Sequence, residues 1–300
     1  MKAVQYAAYG GPEVLEVVEV PEPHAGPGQI RIAVRAAGVN GIDWKIRAGF
    51  MAGDQPLAAP AGTGLDAAGI VDQVGDGVDD VSVGVEVFGS GSATYAESAV
   101  LSAWATKPAA LSFEEAAGLP VPVETAIRIL DQVGVQPGQT LLVNGASGGV
   151  GSATVQIARS RGVTVVGVAG RANQDYLTSI GATPTTYGDG LVERVRALTP
   201  DGVDAALDIA GSGVIPELVE LTGEPAKVLS IADFGAPEHG AQVSTTSTNQ
   251  AAALATAAEL VTSGQLHIPV QQTFTLDQAG AAQAASAAGH VVGRFVVTVA

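Results

Sequence analysis

Residues 140–162, TLLVNGASGGVGSATVQIARSRG, set a short apolar run, a glycine turn and an amphipathic stretch in immediate succession. Thr140 to Asn144 suits a strand inside a parallel sheet, and Val150, Val155, Ile157 and Ala158 supply an apolar face for a following helix. Gly145, Gly148 and Gly151 permit a tight turn, close approach of the backbone to a phosphate, and close packing of helix on strand. The first amides of such a helix have no partner within it and lie at the positive end of its dipole. Together these features predict a βα crossover that grips the pyrophosphate of a dinucleotide. The glycines follow G-x-x-G-x-x-G rather than G-x-G-x-x-G, and glycine turns also precede helices for steric reasons alone, so the flanking pattern carries the reading.

Two rival chemistries use the same residues. Gly145, Ser147 and Gly149 spell G-x-S-x-G, the strand-to-helix elbow that exposes the nucleophile of an α/β-hydrolase. Asp208 or Asp233, with His239, His267 or His290, would complete a triad in the required chain order. That alternative explains neither Gly148 and Gly151 together nor the alternating β segments of residues 1–100. A P-loop is excluded, because no lysine lies between Lys107 and Lys227 to reach a β- or γ-phosphate.

A site for an unphosphorylated dinucleotide usually ends its second strand with an acid that takes the ribose hydroxyls. Here the second strand, Val163 to Val168, runs into Ala169, Gly170 and Arg171, and no carboxylate occurs from Ala146 to Gln174. Arg171 stands where a 2′-phosphate would lie, and a guanidinium binds phosphate as a bidentate fork, so NADPH is favoured over NADH. The alternative for Arg171 is a solvated surface arginine.

A chain of 300 residues suits two domains or one large one. The absence of cysteine excludes disulfides, thiolate-ligated zinc and a cysteine nucleophile. A net charge of −16 repels nucleic acid and anionic membrane surfaces. The opening MKAVQYAAYGGPEV has no long apolar core of a signal peptide and reads as a first strand. Residues 132–158 carry no charge, yet their Gly, Asn, Gln and Ser content suits the turn and helix above rather than a membrane span. A cytoplasmic protein is expected.

The front of the chain is β-rich: Gln29 to Ala36 alternates Ile30, Ile32 and Val34 with Arg31 and Arg35, and Val81 to Phe88 alternates again. From Val123 the period becomes helical, and strands then alternate with helices as in βαβ units, so a boundary is expected near Pro120 to Pro122. Strands are predicted at 140–144, 163–168, 203–208 and 226–231, and helices at 149–160, 190–198 and 249–263, the last ended by Gly264. His267 to Thr275 and Arg294 to Val299 read as strands returning to the first domain, while Ala251 to Ala258 looks merely helical.

With these features in hand, the chain resembles the zinc-independent medium-chain dehydrogenase/reductase family, in particular the quinone oxidoreductases related to zeta-crystallin. The likeness is carried by AAGVNGIDWKIRAG (36–49), GLDAAGIVDQVGDGV (64–78), YAE (95–97), ETAIRIL (124–130), GASGGVG (145–151) and GHVVGRFVV (289–297), in order along nearly the whole chain. The resemblance implies an α/β fold with a GroES-like β-rich catalytic domain and a Rossmann domain, a doubly wound parallel sheet. Residues 1–121 would form the first part of the catalytic domain, 122–265 the Rossmann domain, and 266–300 the return to the catalytic domain. It also implies a cleft where nicotinamide meets substrate, and a homodimer. In zinc-dependent relatives the positions of Asn40 and Leu65 look like Cys and His ligands; neither residue is a good ligand, and the cysteine-rich lobe is missing, so a metal-free protein is expected.

By the same resemblance Ser147, Gly148, Gly149 and Val150 lie along the pyrophosphate of NADP(H), with Gly170, Arg171 and Tyr187 around its 2′-phosphate. Tyr187 reads equally as a strand-end aromatic. Arg294 matches the family's basic residue that reaches back to the cofactor, with a charged strand end as the alternative. Thr125, Ile231 and Ala232 correspond to positions close to nicotinamide. Asn40 and Asp43 match an N-x-x-D element, in which Asn40 is the candidate catalytic residue, orienting substrate, and Asp43 suits a turn. Without zinc to polarise a carbonyl, hydride delivery to an electron-poor quinone or conjugated enone fits better than alcohol oxidation. No general acid is identified. Met51 replaces a tyrosine common in relatives, which brings an enone or alkenal reductase close to a quinone reductase. Val85 replaces a frequent acid, and the region from Asp233 to Ala251 looks shorter than in many relatives. A non-catalytic NADPH-binding sensor is the reading outside enzymology.

Overall fold

Alternating apolar residues lay down the first stretch of the chain as strands: β1 (Lys2–Tyr6), β2 (Glu16–Glu19), β3 (Ile30–Val39), then helix α1 (Gly41–Arg47), β4 (Ala61–Gly62), β5 (Asp66–Val74), β6 (Glu86–Gly91), β7 (Ser98–Thr106) and α2 (Phe113–Ala117). From α3 (Pro120–Val133) the order becomes β8 (Thr140–Asn144), α4 (Gly149–Ser160), β9 (Thr164–Ala169), α5 (Gln174–Ser179), β10 (Thr183–Thr186) and α6 (Leu191–Leu198). It continues through β11 (Ala205–Asp208), α7 (Ile215–Thr222), β12 (Val228–Ser230) and β13 (Gln242–Val243). The chain closes with α8 (Gln250–Thr262), β14 (Val270–Thr275), α9 (Ala279–Ala288) and β15 (Arg294–Thr298). The computed structural model describes residues 1–53, 55–247 and 249–299. They fall into two units: the first draws on Met1–Val121, Asn249–Ser263 and Ile268–Ala300, the second on Pro122–Thr248 and Gly264–His267.

In the first unit a six-stranded sheet runs β14-β15-β3-β5-β6-β7, and an added pairing of β3 with β7 rolls it toward a barrel. Ile30, Ile32 and Val34 on one face of β3 pack with Val71, Val87 and Leu101, which is the burial their alternation predicts. A second cluster joins Val4, Val39, Tyr95 and Val297 to Phe274 and Phe295, whose rings meet edge-on at 5.8 Å. β1 pairs with β2 and β4 in a smaller sheet.

The second unit holds a six-stranded sheet in the order β10-β9-β8-β11-β12-β13, with every neighbouring pair parallel. This is the doubly wound arrangement, in which the strand order reverses on either side of the first strand, β8. Leu142, Val166, Ala206 and Val228 from the sheet pack with Leu191, Val195, Ile215 and Leu218 from α6 and α7. Register places Asn144, Asp208 and Ser230 side by side at the C-terminal ends of β8, β11 and β12.

Several elements depart from the sequence expectation. Val81 to Val85 is turn rather than strand, because Gly84 takes φ +93° and Val83 stays exposed, so β6 begins at Glu86. Pro269 holds His267 to Pro269 out of the ladder, and β14 starts at Val270. The helix predicted over 249–263 within the second domain forms, but its residues group with the first unit, where α8 packs on β7. Among the described residues no helix is long and apolar enough to cross a membrane.

Candidate functional site

The turn after β8 gives each of its three glycines a separate task. Gly145 takes φ +86°, a backbone state that side chains resist. Gly148 is the N-cap of α4 in extended conformation, and a Cβ added there would meet nothing within 4 Å. Gly151 lies in the first turn of α4, where an added Cβ would come within 2.6 Å of the Cα of Ala146 and closer still to the carbonyl oxygen of Gly145. The bond from Ser152 N to Gly148 O, 2.7 Å, opens the ladder of α4, so the amides of Gly149, Val150 and Gly151 precede it and have no partner within the helix. An open, glycine-faced helix start with these amides fits a dinucleotide pyrophosphate. Ser147 is buried, and its Oγ accepts from Asn173 Nδ2 at 3.0 Å.

The second strand supplies the next face. A Cβ on Gly170 would also meet nothing within 4 Å, and Arg171 beside it is exposed at the start of a short 3-10 turn. Gln174 braces this corner by donating through Nε2 to the carbonyls of Ala169, Gly170 and Thr185, each at 3.1 Å. Tyr187 follows β10 and is 38% exposed. Burial, and after it the charge of Asp208, raises its phenol pKa, so the hydroxyl keeps its proton. Arg194 holds the loop beyond β10 through the carbonyls of Thr186, Tyr187, Gly188 and Asp189. Thr125 is buried on α3.

At the sheet's C-terminal edge, Asp208 is 1% exposed and accepts at both oxygens. Its Oδ1 takes Asn144 Nδ2 at 2.9 Å, Gly211 N at 2.9 Å and Ala210 N at 3.2 Å, while its Oδ2 takes Ser230 Oγ–H at 2.8 Å. Ser230 Oγ in turn accepts from Ala232 N at 3.1 Å and Asp233 N at 2.8 Å. Ile231 and Ala232 are thus pinned by their backbone. Asp208 is occupied by these donors, which removes it from the triad that a Ser147 hydrolase would use.

A separate polar network lies inside the first unit. Asp66 at the start of β5 is fully buried and accepts from Asn40 Nδ2 at 2.9 Å, Val121 N at 3.1 Å and Arg294 Nη2 at 3.4 Å. Arg294 Nη2 also donates to Asn40 Oδ1 at 2.9 Å. Asp43 accepts from Asn40 N at 2.8 Å and from the Tyr95 hydroxyl at 3.0 Å, so it caps α1 as a turn residue. Burial pushes the Asp66 carboxyl up to about 7 and Asp43 up to about 6, against the pull of Arg294. Burial also drives the Tyr95 phenol well above its usual value and lowers the Arg294 guanidinium. The 3.4 Å pair of Asp66 with Arg294 therefore does not fully offset desolvation. Asn40 is fixed by two partners, and Arg294 is tied into the first unit, through Asn40 and Asp66.

Sequence reasoning singled out none of Asp66, Tyr95, Asn173 or Ser230, and named Asp208 only as a hydrolase acid and Asn144 only as a strand end. A signal existed for the first: Asp66 and Arg294 are lone charges inside apolar runs, GLDAAGIV and VVGRFVV, where an unpaired charge is costly. The donor set does not fit zinc: Asn40 donates its Nδ2 to Asp66 and accepts from Arg294 at Oδ1, and Leu65 is aliphatic. Among the described residues no group of three His, Cys, Asp or Glu side chains is placed to hold a metal.

Residues 26–109 match the family described as the alcohol dehydrogenase GroES-like domain, and residues 180–297 that described as zinc-binding dehydrogenase. A quinone oxidoreductase of Rattus norvegicus is 33% identical over 250 residues, covering 79% of this chain and 75% of the rat protein. A 2-methylene-furan-3-one reductase of Solanum lycopersicum is 35% identical over 229 residues, 71% of this chain and 58% of the tomato protein. The quinone oxidoreductase of Escherichia coli, solved in complex with NADPH, superposes with a TM-score of 0.85 at 25% identity, covering 100% of both chains. With its strand order, its glycine turn and its rat relative all agreeing, the chain belongs to the quinone oxidoreductase group of the medium-chain dehydrogenase/reductase family.

Proposed function

We propose that this chain is an NADPH-dependent oxidoreductase that passes hydride to an electron-poor small molecule, a quinone, without zinc. The observation that carries the reading is the open glycine start of α4 next to an exposed Arg171, on a corner whose turn has no carboxylate from Ala146 to Gln174. In this proposal the amides of Ser147, Gly148, Gly149 and Val150 line the pyrophosphate. Gly170 leaves room for the adenosine ribose, Arg171 pairs with its 2′-phosphate, and Tyr187 donates its retained proton there. Thr125, Ile231 and Ala232 flank the nicotinamide, which supplies a hydride when bound. Asn40 orients the acceptor, held in place by Asp66 and Arg294, so the part of Arg294 is exercised through Asn40. An acceptor that is already electron-poor needs no metal to polarise it, in keeping with Asn40 and Leu65 at the two ligand positions.

A second reading, reduction of a conjugated enone or alkenal, is favoured by Met51 at the position where relatives carry tyrosine and by the likeness to the tomato reductase. A homodimer in the cytoplasm is proposed with either activity. Oxidation of NADPH followed by its absorbance against a panel of quinones and enones, in parallel with NADH, tests the proposal. NADPH binding without turnover of any acceptor would replace it with a sensor, and a preference for NADH would remove the role given to Arg171.

A further inference from the structure

Three strands of the second unit end on one buried carboxylate. Asp208 receives four donors from three different segments: the Asn144 amide that precedes the glycine turn, the Ala210 and Gly211 amides of its own loop, and the Ser230 hydroxyl at the end of β12. Ser230 passes the constraint on, since its oxygen accepts from Ala232 and Asp233 and thereby shapes the backbone of residues 231–235, where Asp233 Oδ1 also takes Gly235 N at 2.8 Å. The backbone carbonyl of Asp208 holds the same loop through Ile231 N at 3.0 Å. Asn144 keeps this geometry at a cost, because its Oδ1 is buried with no hydrogen-bond partner among the described residues.

Resting on the cofactor reading above, we propose that Asp208 is a positioning residue that couples the pyrophosphate turn to the Ile231–Ala232 loop, setting where the nicotinamide end of the cofactor lies. It acts through Asn144 on one side and through Ser230 on the other, and does not itself touch the reacting atoms. All four side-chain bonds require an acceptor at Asp208, which a carboxylate satisfies at both oxygens and an amide at only one. In Asp208→Asn the new NH2 group cannot take the place of Oδ1, which faces three donors, and so replaces Oδ2 opposite Ser230. The Ser230 oxygen already accepts two amides and has no lone pair left for a third donor. The substitution therefore breaks the side-chain link that runs through Ser230 to residues 232 and 233, leaving the Ser230 hydroxyl only its 3.3 Å contact with the Asp208 carbonyl, and keeps the Asn144, Ala210 and Gly211 bonds and the backbone bond from Ile231 N in place. Ser230→Ala removes the same link from the other end.

The experiment compares wild type, Asp208→Asn and Ser230→Ala in three readouts: affinity for adenosine 2′,5′-bisphosphate, steady-state turnover with NADPH, and amide exchange of residues 232 and 233. Expected are fragment affinity within about twofold of wild type, turnover down about 10- to 100-fold from misplacement of the hydride donor, and faster exchange at Ala232 and Asp233 in both variants. Unchanged turnover in either folded variant, or fragment affinity falling in step with turnover, overturns the positioning role. Should Asp208→Asn fail to fold, Ser230→Ala alone decides, because it keeps the carboxylate. A wild-type protein that binds neither the fragment nor NADPH overturns the cofactor reading itself, and this inference with it, an outcome distinct from normal wild-type binding with undisturbed variants.

Discussion

Gly148 and Gly151 stand three residues apart in one turn, yet alanine at each should fail in opposite ways. At Gly151 the new methyl would lie 2.6 Å from Ala146 Cα and closer still to Gly145 O, whereas ordinary contact begins near 3.4 Å, so α4 must retreat from the turn by at least about 0.8 Å. Both neighbours are backbone and neither can rotate away. Overpacking of this kind costs about 1–3 kcal/mol, which for a domain of this size lowers Tm by roughly 2–12 °C. At Gly148, φ −75° and ψ 178° suit any residue and the methyl meets nothing within 4 Å, so the gain of about 0.4–1 kcal/mol from a stiffer unfolded chain roughly offsets the poorer capping of alanine and stability stays within about 1 kcal/mol of wild type. That open volume is where the pyrophosphate is proposed to lie, and a methyl in it would hold phosphate oxygens off the α4 amides. A loss of about 10- to 100-fold in NADPH affinity, roughly 1.4–2.8 kcal/mol, is expected. Thermal unfolding followed by circular dichroism and titration by NADPH fluorescence measure the two effects separately. Wild-type affinity in Gly148→Ala would show that the space in front of α4 is bulk solvent and not a cofactor site, and an unshifted Tm in Gly151→Ala would refute the packing argument.

Four further outcomes are expected. Arg171→Ala should weaken NADPH by about tenfold while leaving NADH within twofold, measured by titration with both; equal losses would remove the 2′-phosphate contact. The raised carboxyls of Asp66 and Asp43 mean that the native state holds protons the unfolded chain has released. Their contribution to stability is thus fully present below about 3.8 and lost as pH rises through about 6 to 7. In urea unfolding from about pH 4 to 7, the stability of wild type relative to Asp66→Asn should fall as pH rises; a growing advantage of wild type would mean that Arg294 keeps Asp66 ionised. Tyr95→Phe removes a buried bond to Asp43 and should cost about 1–2 kcal/mol in the same assay, with Asn40 N still capping through Asp43; a neutral effect would contradict the bond. Ser147→Ala should leave any cleavage of activated esters at its background level, since loss of an esterase activity with that hydroxyl would revive the hydrolase.

Short-range regularity made much of this protein legible. Alternation announced β3, the apolar run announced β8, and the glycine turn with its helical face announced α4, because each depends on neighbours within a few residues. Other elements gave no such signal. α9, AGAAQAASAA, is alanine on nearly every side, so burial of Ala279, Ala282 and Gln283 leaves no periodic trace. α7 carries Pro216 in its first turn, where proline starts a helix but reads as a breaker. β13 has two residues and exists only because β12 is there to pair with.

The sequence alone marked β3, β8 and α4, the glycine turn between the last two, the missing acid and Arg171, because these are properties of composition and spacing, and it left α7, α9 and β13 unmarked. Only the tertiary structure decided which polar groups answer one another. Asn40, Asp66 and Arg294 converge from the cap of α1 just after β3, from β5 and from β15, and Asn144, Asp208 and Ser230 from three strand ends. Buried donors and acceptors must be paired within the fold, and the partner is chosen by sheet register between residues as much as 254 positions apart, a distance over which no local pattern carries information.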